Sequence, residues 1–125
     1  MKMALDDGSG VNLVRAYEDG RVSIREQTYT QSLIALPDRL FTGWEAESVQ
    51  QLRAAHFQPL LELAPEVLIL GTGGTQVFPD PAVFMTLIDL GIGFEVMDNG
   101  AACRTYNILL GEGRRAALAL ILASR

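Results

Sequence analysis

Cysteine and histidine are almost missing from this chain. One of each, Cys103 and His56, stands among 125 residues. An internal disulfide is therefore impossible, and a lone thiol suits a reducing compartment. No second metal-type ligand lies three or four residues from His56, so no metal site is expected. Basic residues are also few. Lys and Arg total 10 against 15 Asp and Glu, a formal net charge of -5, and only Arg114 and Arg115 adjoin. Nucleic-acid binding needs clustered cations to neutralise phosphate, so that class of partner is excluded. Long apolar runs are lacking too. The longest, Ala116–Ala123, is far short of a membrane span. Met1–Asp7 has neither the apolar core of a signal peptide nor the basic amphipathic pattern of a transit peptide. There is no repeat, low-complexity tract or interdomain linker. These absences lead to the expectation of a soluble, cytoplasmic protein, with residues 1–10 a flexible lead-in and residues 11–125 one domain.

What is present is apolar sequence. Hydrophobic residues make up 49% of the chain, enough to build a core without disulfide or metal staples. Val11–Tyr17 reads as a strand, Glu18-Asp19-Gly20 as a turn, and Arg21–Arg25 as the returning strand of a hairpin. Gln27–Leu36 reads as one further strand, stopped by Pro37-Asp38. Leu40–Trp44 reads as a loop, with Trp44 either packed on the core or free to stack on a ligand. Val49–Leu52 is ambiguous. Arg53–Leu63 puts Phe57, Leu60 and Leu61 on one helical face, and Pro59 either starts that helix or kinks it.

The stretch from Val67 to Asn107 holds most of the residues that could carry chemistry. Val67–Leu70 is uniformly apolar, as in a strand covered on both faces. Gly71-Thr72-Gly73-Gly74 follows. Asp80 and Pro81 then mark a helix start, with Val83, Phe84, Leu87, Ile88 and Leu90 on its inner side and Gly91 at its end. Phe94–Met97 is the next strand, and this strand–helix–strand unit predicts a parallel crossover. Asp98 or Asn99 caps a second helix reaching about Leu110. The final strand, Arg115–Leu122, is apolar on both faces and belongs at the centre of a sheet, in a direction the pattern leaves open.

The glycine loop is a poor match to a dinucleotide fingerprint. Gln76 stands where the third glycine belongs, and the helix begins several residues late. A tight turn against packed backbone is the plainer reading. On the second helix, at about 100° per residue, Ala102, Thr105, Tyr106, Leu109 and Leu110 form a buried stripe. Gly100, Arg104 and Asn107 fall on the other side. With Gly71, Thr72, Gly73, Asp98 and Cys103 they outline a candidate pocket for a small anion, between the Gly71–Gly74 loop and the start of the helix. Arg104 there either pairs with an acid such as Glu95 or Asp98 or waits for an anionic ligand. Cys103 lies past the first helical turn with no base in evidence, so it reads as a buried small hydrophobe and no catalytic residue is assigned.

Pro65–Gly73, Phe78-Pro79, Gly91–Asp98 and Gly100–Asn107 together resemble the Mth-type domain family of unknown function. Its bacterial members are uncharacterised, and its eukaryotic relatives include the mitochondrial complex I assembly factor 3 and an adipogenesis-associated protein. The resemblance covers nearly the whole chain and is densest from Pro65 to Leu122. It implies a three-layer α/β domain around a central mixed sheet. It implies no enzyme activity or cofactor. A protein partner in an assembly-type role is the expectation it favours, with binding of a small anionic molecule or cryptic catalysis as the alternative.

Overall fold

A computed structural model describes residues 11–122, so the expected lead-in at residues 1–10 lies outside the described residues. The first three strands, β1 (Val14–Glu18), β2 (Arg21–Ile24) and β3 (Gln27–Tyr29), form an antiparallel sheet in sequential order. Its first hairpin closes through Asp19-Gly20, with Gly20 at φ 83°, a conformation that glycine reaches without a Cβ clash. A second sheet holds five strands: β4 (Leu33–Leu36), β5 (Arg39–Thr42), β6 (Val67–Gly71), β7 (Gly93–Met97) and β8 (Ala116–Leu120). Their order is β5-β4-β8-β6-β7.

The last strand is the hinge of this topology. β8 runs antiparallel to β4 and parallel to β6, which settles the direction that the sequence pattern left open. All five of its residues are buried. Ala117, Ala119 and Ile121 face one hydrophobic cluster, and Ala116, Leu118, Leu120 and Leu122 face another. Two helices, α1 (Gln58–Leu63) and α2 (Met85–Asp89), cover the first face, together with single 3-10 turns. A third helix, α3 (Asn99–Gly111), and the three-stranded sheet cover the second. This is the expected three-layer α/β architecture with a mixed central sheet. The expected parallel crossover is present, with β6 and β7 paired from Val67↔Gly93 to Gly71↔Met97.

Several local expectations are corrected. Gln27–Leu36 is two strands in different sheets, broken at Thr30–Ser32. Ser32 marks the break because its hydroxyl accepts the Leu122 N–H at 2.9 Å and its carbonyl accepts the Trp44 N–H at 2.9 Å. Leu40–Thr42 is part of edge strand β5, not loop, since Pro37-Asp38 makes a two-residue hairpin that keeps the chain in register with β4. Pro59 sits in the first turn of α1, so the helix starts there; a 3-10 turn, Ala54–Phe57, precedes it. Val49–Gln51 is also a 3-10 turn. The helix expected from Asp80 is divided into a 3-10 turn, Pro81–Val83, and the short α2. The division seats Phe84 flat against Phe94, centroids 4.4 Å apart. Ile88 and Leu90 are 44% and 58% exposed, not on the inner side.

Candidate functional site

The carboxyl ends of β6 and β7 meet the start of α3, as the crossover requires. Thr72 continues the ladder by donating its N–H to the Met97 carbonyl at 2.9 Å. Its hydroxyl donates to the Thr75 carbonyl at 2.6 Å and accepts the Val77 N–H at 3.1 Å, so the glycine loop is closed on itself. Gly73, at φ 108°, exchanges two bonds with Asn99. Its N–H donates to Asn99 Oδ1 at 3.0 Å, and its carbonyl accepts the Asn99 N–H at 2.8 Å. Asn99 Nδ2 donates to the Ile121 carbonyl at 3.0 Å and to the Tyr17 hydroxyl at 3.2 Å. One buried amide thereby joins the loop, α3, the end of β8 and strand β1. Such an amide is stable when buried only because every polar atom is satisfied.

Gly71 has a different task from Gly73. Its φ is not positive. A Cβ built there would lie 2.6 Å from Leu120 Cδ2 and 3.3 Å from Ala102 Cβ, and would also strike Asn99 Oδ1. The absent side chain lets α3 pack close to β6. Asp98 is the cap of α3, with Oδ1 accepting the Ala101 N–H at 2.9 Å.

The remaining site residues lie along α3. Asn107 is structural: its Oδ1 accepts the Val14 N–H at 2.9 Å and its Nδ2 donates to the Val14 carbonyl at 2.8 Å, imitating a neighbouring strand for β1. Cys103 is buried, and desolvation pushes its thiol up to about 12 although Arg104 pulls the other way. A protonated, enclosed thiol is a poor nucleophile. His56 lies on the opposite face of the mixed sheet, beside Trp44, and its Nδ1 accepts the Arg53 N–H at 2.9 Å. Trp44 packs on the core edge and donates Nε1–H to the His56 carbonyl at 2.8 Å.

Arg104 is where the expectation fails. It was expected to face the glycine loop, or to pair with Glu95 or Asp98. It is exposed, and none of the ion pairs among the described residues involves it. The reason is the hairpin: β1 packs along α3 and occupies the side that the sequence pattern left open for the loop. The candidate pocket is accordingly split. A hollow of about 110 Å³ includes Tyr17, Asp19, Gly20, Gly73, Gly74 and Asn99. A second, of about 300 Å³, includes Arg15, Tyr17, Gly100, Cys103, Arg104 and Asn107. Tyr17 borders both, while Gly71, Thr72 and Asp98 line neither. Tyr17, Arg15 and Asn99 are the residues that sequence reasoning missed. The only signal was the pair of candidate caps at Asp98 and Asn99, of which the second does the joining.

The family model described as a protein of unknown function (DUF498/DUF598) matches residues 14–121. Among curated proteins, the chain is similar to the NADH dehydrogenase (ubiquinone) 1 alpha subcomplex assembly factor 3 of Bos taurus. The two are 35% identical over 89 residues, which is 70% of this chain and 48% of that protein. The chain thus spans about half the length of that assembly factor. It is also 25% identical over 108 residues to the 13 kDa major membrane protein of Francisella tularensis, covering 86% of this chain and 88% of that one. Of solved structures, an NMR structure from Xanthomonas campestris aligns with a TM-score of 0.82 at 41% identity, covering 98% of this chain and 92% of the other. A Bordetella pertussis protein described as an Mth938-like domain also aligns with a TM-score of 0.82, at 30% identity and with the same coverage.

Proposed function

From the premise that this chain belongs to the DUF498/DUF598 family of Mth-type domains, we propose that it is a non-catalytic protein-interaction module of the assembly-factor kind. The observation that carries the reading is the distribution of exposed apolar side chains. Among the described residues, four of the five large exposed hydrophobics, Phe78, Met85, Ile88 and Leu90, fall in the single stretch from Phe78 to Leu90. Scattered exposed apolar residues are ordinary, whereas their concentration in one stretch of chain favours an interaction surface. The assembly factor to which the chain is similar supports a protein as the partner. Among the described residues no helix is long and apolar enough to cross a membrane. A single cysteine, with no internal disulfide possible, suits work in the cytoplasm. The test is in-cell cross-linking followed by size-exclusion chromatography. A heteromeric complex of fixed stoichiometry is expected, and a chain that elutes only alone refutes the proposal.

A second reading rests on a separate observation. Arg15 and Arg104, neither of them in an ion pair among the described residues, line the same hollow of about 300 Å³. Two guanidinium groups at one opening suit a small polyanion. A thermal-shift series with phosphate and small carboxylates tests it. Binding at about one hundred times Kd stabilises by about 2.7 kcal/mol, and an Arg104→Ala variant loses that response.

A further inference from the structure

Strand β1 carries one residue more than its partner. Its register against β2 slips between Val14 and Ala16, so Arg15 is an extra residue in the ladder. In a regular strand, residues three apart point to opposite faces. The slip lets Val14 and Tyr17 both pack on the same hydrophobic cluster, and it leaves Arg15 exposed at the hollow beside α3. Asn107 fixes the base of this bulge through its bonds to the Val14 backbone at 2.9 and 2.8 Å. Bulges re-aim side chains, and here the side chain is a cation.

The facing wall is α3. Arg104 stands four residues after Gly100 and three before Asn107, so helical spacing puts all three on one side. Its Nη1 lies 3.4 Å from the point where a Cβ on Gly100 would stand, so the guanidinium rests over the open backbone of the first turn. The hollow between the two walls is about 300 Å³, and no Asp or Glu lines it. The carboxylates nearest in the chain are engaged elsewhere. Glu18 pairs with Arg21 at 2.7 Å. Asp98 Oδ1, 3.5 Å from the same Gly100 point, accepts the Ala101 N–H at 2.9 Å. Ala16 and Cys103 belong to the lining, and burial keeps the Cys103 thiol protonated.

One guanidinium on each wall addresses two anionic groups rather than one. We infer that the hollow takes a short aliphatic dicarboxylate, with one carboxylate on Arg15, the other on Arg104, and the uncharged middle beside Ala16 and Cys103. The inference rests on the anion-binding reading of this hollow. A guanidinium fork matches a planar carboxylate through two parallel bonds. A monocarboxylate would leave one arginine unpaired, and a single phosphate would fill only part of a hollow of this size.

The experiment is calorimetric and amide-NMR titration of the chain with succinate, glutarate and adipate, beside butyrate and inorganic phosphate, in about 0.1 M salt to screen diffuse attraction. At least one dicarboxylate should bind about tenfold tighter or more than butyrate or phosphate. It should shift the amides of Val14–Tyr17 and Gly100–Asn107 and leave those of α2 unmoved. Arg15→Ala and Arg104→Ala should each weaken it about tenfold or more. Arg53→Ala removes the same charge beside His56 on the other face of the sheet, and should change nothing. Loss in only one of the two hollow variants, equal loss in Arg53→Ala, or shifts centred elsewhere overturns the inference. The two levels separate cleanly. If butyrate or phosphate binds as tightly as any dicarboxylate, and Arg104→Ala abolishes it, the anion reading stands and the two-point ligand falls. If no anion binds, both fall.

Discussion

Gly71→Ala should be a costly substitution although its backbone permits alanine. Gly71 does not have a positive φ, so the new residue needs no forbidden conformation. The cost is steric. The added methyl would sit 2.6 Å from Leu120 Cδ2 and 3.3 Å from Ala102 Cβ, and would strike Asn99 Oδ1. Neither large neighbour can retreat freely. Leu120 is fully buried at the centre of the mixed sheet. Asn99 is held by its bonds to Gly73, Ile121 and Tyr17. Overpacking of a dense core costs about 1–3 kcal/mol, and displacing Asn99 removes hydrogen bonds worth about 1 kcal/mol each. The expected loss is therefore on the order of 2–4 kcal/mol. Gly74→Ala is the control. A Cβ there meets nothing within 4 Å and its φ is not positive, so the change should be neutral or stabilise by up to about 1 kcal/mol through the unfolded chain. Urea unfolding of both variants reads the difference as a shift in midpoint at constant slope. If Gly71→Ala loses less than about half a kcal/mol, or no more than Gly74→Ala, the claim that this glycine exists to admit α3 is wrong.

Other consequences are as direct. Leu120→Ala should cost about 2–5 kcal/mol in urea unfolding, as expected for a fully buried leucine; a near-neutral result would mean that β8 is not central. Asn107→Ala should cost about 1–3 kcal/mol by leaving the Val14 N–H and carbonyl without their partner, whereas exposed, unpaired Arg104→Ala should stay within about half a kcal/mol. Cys103 should react with a thiol reagent at pH 7 only as fast as the chain opens, and rapid labelling of the native state would contradict its burial. Because the folded thiol is raised to about 12 while an unfolded thiol ionises near about 8.5, the unfolded chain loses its proton first. Stability from this group is complete below the unfolded value and should fall as pH rises from there toward the folded value. A Cys103→Ala variant should lack that part of the decline.

The core was legible in the sequence because its signals are local and redundant. Val67–Leu70 and Arg115–Leu122 are apolar on both faces, which only a central strand explains, and Asp98 and Gly91 punctuate their helices in the usual way. The breaks were less legible. Nothing in Gln27–Leu36 shows that Ser32 will be claimed by Leu122, a partner far along the chain. The exposed side of α2 was misread because the one helix expected there is divided into a 3-10 turn and a five-residue helix. For the site, topology correctly brought the glycine loop to the start of α3. It could not show that β1 packs beside that helix, because the contact joins residues from opposite ends of the chain, Val14 and Asn107. That one contact moves Arg104 away from the loop and converts Asn107 from a candidate ligand group into a strand mimic.

The central claim is that the Phe78–Leu90 face meets a protein. A photo-reactive amino acid placed at Ile88, and separately at Ile108, tests it directly. Both positions are exposed, 44% and 61%, but Ile108 lies on α3, the helix covering the other face of the mixed sheet. Irradiation in living cells should give one defined adduct from position 88 and none from position 108. Adducts that are absent from 88, or that form equally from both positions, would contradict the account.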